Sequence, residues 1–519
     1  MKNNKYIISL LLFALFAVSC NDFLDESPDN RTEIDSPEKI KQLLVMAYPL
    51  TSTAYMAETA SDNTDENGYG MLEYNTEQRE MYEWSNITSI DGDTPYALWA
   101  NCYSAIASAN VALQAIEQLG DTEELAPMKG EALLCRAYAH FLLVNMFCQH
   151  YGENSSTDLG IPYATKPETT VDPKYDRGTV GDVYEYIKAD IEAGLTLIND
   201  DIYSVAKYHF NRRAAYAFAT RFYLYMGDYD NVIKCSEVVL GAPGRTPALM
   251  DWAGLARLSQ NDNAQPNLFI SLSNSASLML TGTYSFWPIM HGPYKTGRRY
   301  GHGQDIYFAE TTGSDTPWGN MVSIIHQTPF YNPELPRYVH RKIGDYREVV
   351  DPVAGTGIFH MMFPSFIIDE TLMCRAEAFV MKKEYSNAVQ DMNTFMRAFT
   401  KANNVSRTAI GNFYATMPYY TFAAPTPKKR LNPDFTIEAG EQENLLHAVL
   451  HLRRMLTLHE GLRWFDVKRY GIEISRRRIN ANGSVSETDV LMKRDSRRAI
   501  QLPDGVVSAG MTPNPREFE

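Results

Sequence analysis

Indole and phenol rings flanked by carboxylate, carboxamide and guanidinium groups recur in one stretch of the chain: Trp287, Tyr294, Arg298, Tyr300 and Trp318, with Arg299 and His302 to Asp305 among them. A second stretch, acidic and rich in tyrosine, supplies Asp62, Asn63, Asp65, Tyr69 and Tyr74. Aromatic faces stack on the flat C–H faces of sugar rings, while planar acids, amides and guanidinium groups satisfy hydroxyls. The mixture predicts a ligand platform with Trp287, Tyr294, Arg298, Tyr300 and Trp318 on one wall and Asp62, Asn63, Tyr69 and Tyr74 on the other. The same rings could instead pin long loops to a core, and the sequence leaves both readings open.

Catalytic and metal chemistry find less support. His447 and His451 have the i, i+4 spacing of a helical zinc pair, but Ala448 stands where H-E-x-x-H carries its general base. No metal site is assigned. No G-x-S-x-G or Walker loop occurs, and no two carboxylates can be singled out as a glycosidase acid and nucleophile. Neither an enzyme nor a bound cofactor is expected.

The elements that must position these groups are of two kinds. Residues 281–340 hold 7 Gly and 6 Pro, twice the density of the whole chain, together with 11 aromatics. Gly and Pro break regular structure, so these rings are expected on long loops, which in compact proteins are usually functional. Around them run helical patterns: Leu98 to Leu119, Glu131 to Cys148, a helix capped at Thr179-Val180-Gly181-Asp182, and Glu441 to Tyr470. Arg212 to Met226 and Tyr229 to Leu240 read as a helical hairpin, and Phe366 to Met381 with Tyr385 to Phe399 repeats it. The prediction is a mainly α protein. An irregular tetratricopeptide-like scaffold of about four helix pairs, within 94–242 and 364–472, carries a loop-rich ligand-binding region, mainly 55–90 and 270–350.

Composition sets the outer bounds. The 519 residues are 45% hydrophobic and 21% charged, an ordinary globular balance. A formal charge of -15 argues against a nucleic-acid binder. The opening residues read as a leader: Lys2 and Lys5 precede the apolar run Ile7 to Val18, too short to span a bilayer. The run ends in Ala17-Val18-Ser19-Cys20, similar to a bacterial lipoprotein signal. Residues 1–19 are thus expected to be removed, with Cys20 acylated and residues 20–519 left as a single domain. Five cysteines then remain, an odd number for a disulfide framework, and they read as small buried apolar side chains.

Several segments together resemble the SusD/RagB family of surface lipoproteins. They are Cys20-Asn21-Asp22-Phe23-Leu24-Asp25, Leu98-Trp99-Ala100-Asn101-Cys102-Tyr103, and Tyr223-Leu224-Tyr225-Met226-Gly227-Asp228-Tyr229. To these add Arg453-Arg454, His459-Glu460-Gly461-Leu462-Arg463-Trp464-Phe465-Asp466-Val467-Lys468-Arg469-Tyr470-Gly471, and Leu502-Pro503 with Thr512-Pro513-Asn514-Pro515. The resemblance implies a helical scaffold with an irregular ligand-binding half, no catalysis, and a lipid-anchored place on the outer membrane at the cell surface. It also implies a partner, a SusC-type TonB-dependent barrel, to which captured oligosaccharide is handed. Peptide is the alternative cargo, and a tetratricopeptide envelope scaffold without nutrient is the alternative role. The C-terminal motif itself reads as structural: Glu460, Arg463, Asp466 and Arg469 fall three apart and could form a ladder of ion pairs. Residues 453–498 hold 12 Lys plus Arg against 6 Asp plus Glu, which reads as a solvated basic face or part of the barrel contact.

Overall fold

The computed structural model describes residues 34–516 apart from 69–70, 72, 74, 171–173, 246, 292–298 and 333–334. The expected leader, Cys20, Tyr69, Tyr74, Tyr294 and Arg298 lie outside the described residues. The structure is mostly helical. A short helix α1 (Ala54–Ala60) precedes a long antiparallel pair, α2 (Pro95–Gln118) and α3 (Ala126–Phe147). Thr94 caps α2 by accepting from the Ala97 N–H, and Pro95 occupies the first turn, where no N–H is needed. The nearly all-round apolar sequence of α3 is buried on almost every side, packed between α2 and α4 (Val180–Leu197). The expected capping box at Thr179 and Asp182 opens α4.

The two hairpins form as their sequences predict. In the first, α5 (Arg212–Met226) ends at Gly227, φ +79°, and Asp228 caps α6 (Tyr229–Leu240). After α7 (Gln304–Glu310) in the loop-rich half comes the second, α8 (Ile368–Met381) and α9 (Tyr385–Phe399). Its turn places Lys383, φ +63°, where the first hairpin has Gly227. A side chain in the left-handed region costs ~1–2 kcal/mol, against ~0.5–1 for the freedom of a glycine. Lys383→Gly is therefore expected to stabilise the fold by about 0.5–1 kcal/mol, read as a higher urea midpoint. A lower midpoint would mean that the exposed Lys383–Glu438 ion pair outweighs the strain.

Two boundaries differ from expectation. The second hairpin begins at Ile368 because Phe366 and Ile367 end a strand. The single helix expected over 441–470 is two, α10 (Glu441–Leu456) and α11 (Leu462–Arg469). His459 at φ +72° and Gly461 at φ +77° turn the chain between them. A Cβ on Gly461 would stand 2.8 Å from the Cα of Ala54, so the break lets α1 pack against α11.

Small sheets organise the loop-rich half. Among its strands are β1 (Asp65–Glu66), β2 (Ser277–Tyr284), β3 (Tyr300–Gly301), β4 (Phe330–Asn332), β5 (Leu335–Val339), β6 (Tyr346–Asp351), β7 (Thr356–Ile367), β8 (Ile474–Ile479) and β9 (Val485–Leu491). One sheet has the order β9-β8-β1-β3, with β1 parallel to β8, so the C-terminal chain pairs directly with the first irregular stretch and, through β1, is joined to the second. The order of another is β2-β7-β6, and β4 pairs with β5 antiparallel. Cys102, Cys135, Cys148, Cys235 and Cys374 are buried and free.

The basic C-terminal stretch is not a solvated face. Arg453, Arg454, Arg463, Lys468, Arg469, Arg476, Arg477 and Arg498 are all buried. Some of these cations meet the carbonyls left open at helix ends. Arg476 donates to the Thr59, Ala60 and Ser61 carbonyls at the end of α1 and to Tyr82 O, its guanidinium lying 3.9 Å from the Trp84 ring centroid. Lys468 donates to Asn145 O and Cys148 O at the end of α3, and burial lowers its ammonium pKa to about 7. Others meet carboxylates. Of the expected ladder only Arg469–Asp466 forms (2.7 Å); Arg463 pairs with Asp62 (2.7 Å) and Glu460 with Lys342 (2.8 Å). The ladder fails because the helix breaks at Gly461 and because Arg463 turns toward α1 instead of along its own helix.

Candidate functional site

Five of the nine residues expected to face ligand are described, and the structure buries them all. The Trp287 indole is 3% exposed; its N–H donates to His459 O (2.8 Å) and its ring packs on Tyr55. Trp318, 8% exposed, donates to Asn393 Oδ1 on α9 (2.8 Å). Tyr300, 2% exposed, packs on Tyr82 with ring centroids 4.7 Å apart. Asp62 accepts two hydrogen bonds from Arg463, and Asn63 donates to Glu58 Oε1 (3.1 Å) and accepts from Arg454 Nε (2.8 Å). These placements correct the ligand-wall reading of Trp287, Tyr300, Trp318, Asp62 and Asn63. Each pins a loop to the helical scaffold, because a long loop hides its backbone only if some large side chain anchors it.

The loop-rich half does present rings, on other residues. In the β4–β5 hairpin Tyr331 lies opposite Tyr338. Their rings stack at 4.7 Å and 19°, and Tyr307 of α7 stacks on the far face of Tyr338 at 3.9 Å and 3°. Phe308 meets Tyr307 and Tyr338 edge-on. Tyr307 and Tyr338 are buried, but Tyr331 is 42% exposed and Phe308 46%. The outcome is a rigid column of phenols ending on an open ring, with a second open ring beside it. Rings left facing water in this way offer an apolar face on which a ligand ring could stack.

Buried bonds fix this column to the scaffold. Tyr338 N–H donates to His302 O (2.9 Å), and His302 bonds Asn63 O and Thr311 Oγ1. Glu310, at the end of α7, pairs with Arg454 (2.8 Å) and Lys429 (2.6 Å), the cations that also flank Asp62. Burial lowers the His302 pKa to about 4 and holds that of His340 well below the ordinary imidazole value, so both rings are neutral at pH 7. Beside Phe308, Asp305 pairs with Arg477, whose Nη1 is buried with no acceptor among the described residues. Burial raises the Asp65 carboxyl to about 7 against the pull of Arg477, with Glu310 and Asp305 adding like charge. Open rings beside an acid, a guanidinium and the exposed Gln304 can stack a ring and bond its hydroxyls.

A family model described as starch-binding and associating with the outer membrane, of the SusD-like group, matches residues 22–224. A SusD-like protein of Formosa agariphila is 23% identical, the match covering 90% of this chain and 91% of that one. By these matches the chain is similar to SusD-like proteins. Solved structures share the SusD fold. A protein of Bacteroides vulgatus described as a sugar-binding protein has a TM-score of 0.67 at 20% identity, over 93% of this chain and 99% of that one. One described as a laminarin-binding SusD-like protein has a TM-score of 0.56 at 17% identity, over 93% and 99%.

Sequence reasoning missed Phe308 and Tyr338 and counted Tyr331 only among the aromatics of its window. The signal was a tyrosine on each side of Asn332-Pro333-Glu334-Leu335-Pro336, the mark of a short hairpin that sets its two flanking rings face to face. His447 and His451 are both buried, and the two ring nitrogens of His451 are taken up by Ser314 (3.0 Å) and Tyr414 (2.9 Å).

Proposed function

We propose that this protein captures oligosaccharide at the cell surface on the Tyr307–Tyr338–Tyr331 column and passes it to a TonB-dependent outer-membrane barrel. Cys20 carries the lipid anchor in this reading, and the protein binds without catalysing. One observation carries it: a stack of phenols held by buried charges that ends on exposed Tyr331 beside exposed Phe308. The family's description as starch-binding and outer-membrane-associated, and the laminarin-binding relative, support carbohydrate as cargo and the membrane as its place. Of the original platform, Tyr69, Tyr74, Tyr294 and Arg298 stay as further contacts in this proposal.

A glycan array identifies the cargo, and calorimetry on Tyr331→Ala with Phe308→Ala tests the site. Loss of two stacking rings is expected to weaken binding about tenfold or more, ~1.4 kcal/mol, with little change in stability because both rings already face water. Unchanged affinity would reject the column as the site. Peptide binding without glycan binding would move the cargo to the other class.

A further inference from the structure

Along one side of α2 run Trp99, Tyr103 and Asn110, spaced over about three helical turns. A strap, residues 162–168, crosses this side and is fastened to it. Tyr103 OH donates to Pro162 O (2.8 Å), and Asn110 Nδ2 donates to Ala164 O (3.0 Å) and Lys166 O (3.3 Å). Arg136 Nη1 donates to Asn110 Oδ1 (2.9 Å), so the carboxamide cannot swing away. Between strap and helix lies a cleft of about 270 Å³, with Tyr175 as a further wall. Tyr175 is itself held, its hydroxyl donating to the Glu168 carboxylate, which also accepts the backbone N–H groups of Thr169 and Thr170. Lys166 and Glu168 are exposed at the rim.

Trp99 singles the cleft out. Of six tryptophans, Trp84, Trp252, Trp287, Trp318 and Trp464 are buried. The N–H groups of Trp84, Trp252, Trp287 and Trp318 are donated to interior acceptors. Trp99 alone stays half open, in the cleft wall, and none of the described residues accepts from its indole N–H. A ring face, an unused donor, two phenols and a rim of one ammonium and one carboxylate are the chemistry that a pyranose uses. The volume falls just under the ~300–1,000 Å³ of sites for drug-sized molecules, which limits the occupant to about one or two six-membered rings.

We infer that this cleft is a second carbohydrate site, taking one sugar ring against Trp99 and Tyr175. It shares no residue with the phenol column. The inference rests on the carbohydrate reading above and adds a site to it.

Because the other indoles are buried, acrylamide quenching of intrinsic fluorescence reports chiefly on Trp99. Maltohexaose and laminarihexaose are the probes, with the mature chain and a Tyr331→Ala, Phe308→Ala variant. The expected result is that a bound probe lowers the quenching constant by about twofold in both proteins. Trp99→Phe is expected to remove the protected signal, and Tyr175→Ala to weaken protection at least threefold, roughly, with the fold intact by circular dichroism. Probe binding by calorimetry with quenching unchanged would overturn the cleft and leave the column standing. Protection lost in the Tyr331, Phe308 variant would also overturn it, by showing one site only. If neither probe binds the unaltered protein, the glucan form of the carbohydrate reading falls, and this inference falls with it.

Discussion

Asp466→Asn is expected to cost about 3–5 kcal/mol of folding stability, the cost of leaving buried guanidinium groups without their counter-charge. Asp466 accepts from Arg453 Nε (3.1 Å) and from Arg469 Nη2 (2.7 Å). Glu377 on α8 takes Arg469 Nη1 at 2.8 Å and the Tyr470 hydroxyl at 2.6 Å. Glu370, on the same helix, pairs with Arg221 of α5 (3.2 Å). The two helical hairpins and the α10–α11 corner therefore share one buried charge cluster. Burial alone would raise the Asp466 pKa, but Arg453 and Arg469 outweigh it and the net shift is downward. A lowered carboxylate contributes its stability above the unfolded pKa, about 3.9, and loses it only as pH falls through the folded value. The variant should accordingly show its deficit in full at pH 7 and a flatter acid limb. Urea unfolding at pH 7 and pH 3 measures both, and a cost below about 1 kcal/mol at pH 7 would show that water reaches the cluster.

The helical half was legible in the sequence because its signals are local. The 3.6-residue spacing, the Thr179–Asp182 cap and the turn before Tyr229 or Tyr385 each lie within a few residues of what they control, and α4, α5, α6 and α9 appear where those signals put them. The loop-rich half depends on distant partners. Trp318 is buried because Asn393 on α9 waits for its N–H, and Trp287 because His459 O does. Nothing near either indole announces those acceptors, so an aromatic that pins a loop reads the same as one that grips a ligand. The basic run 453–498 misled for a related reason. Its charges answer to helix ends and carboxylates contributed by residues 59–61, 62, 145–148 and 377, all remote along the chain.

Asp62 separates the two meanings of a polar residue beside a ligand face. Replacing it by Asn should destabilise the fold by about 3–5 kcal/mol while leaving ligand affinity within about twofold. The carboxylate receives Arg463 Nε (2.7 Å) and Nη2 (2.8 Å), with Arg454 at 3.5 Å and Lys429 at 3.9 Å. Burial pushes its pKa up, yet Arg454 and Arg463 pull it well below the usual carboxylate range. Asn keeps the shape but turns an N–H₂ group toward a guanidinium, and Glu310 alone is left to face Arg454 and Lys429. Since Glu310 ends the helix that carries Phe308, the loss should loosen α7 as well, seen as faster amide exchange over 304–310. The acid limb of the stability curve should flatten, because the contribution removed is complete above about pH 4 and is lost only at lower pH. A tenfold loss of glycan affinity with unchanged stability would reverse the assignment and return Asp62 to the ligand wall.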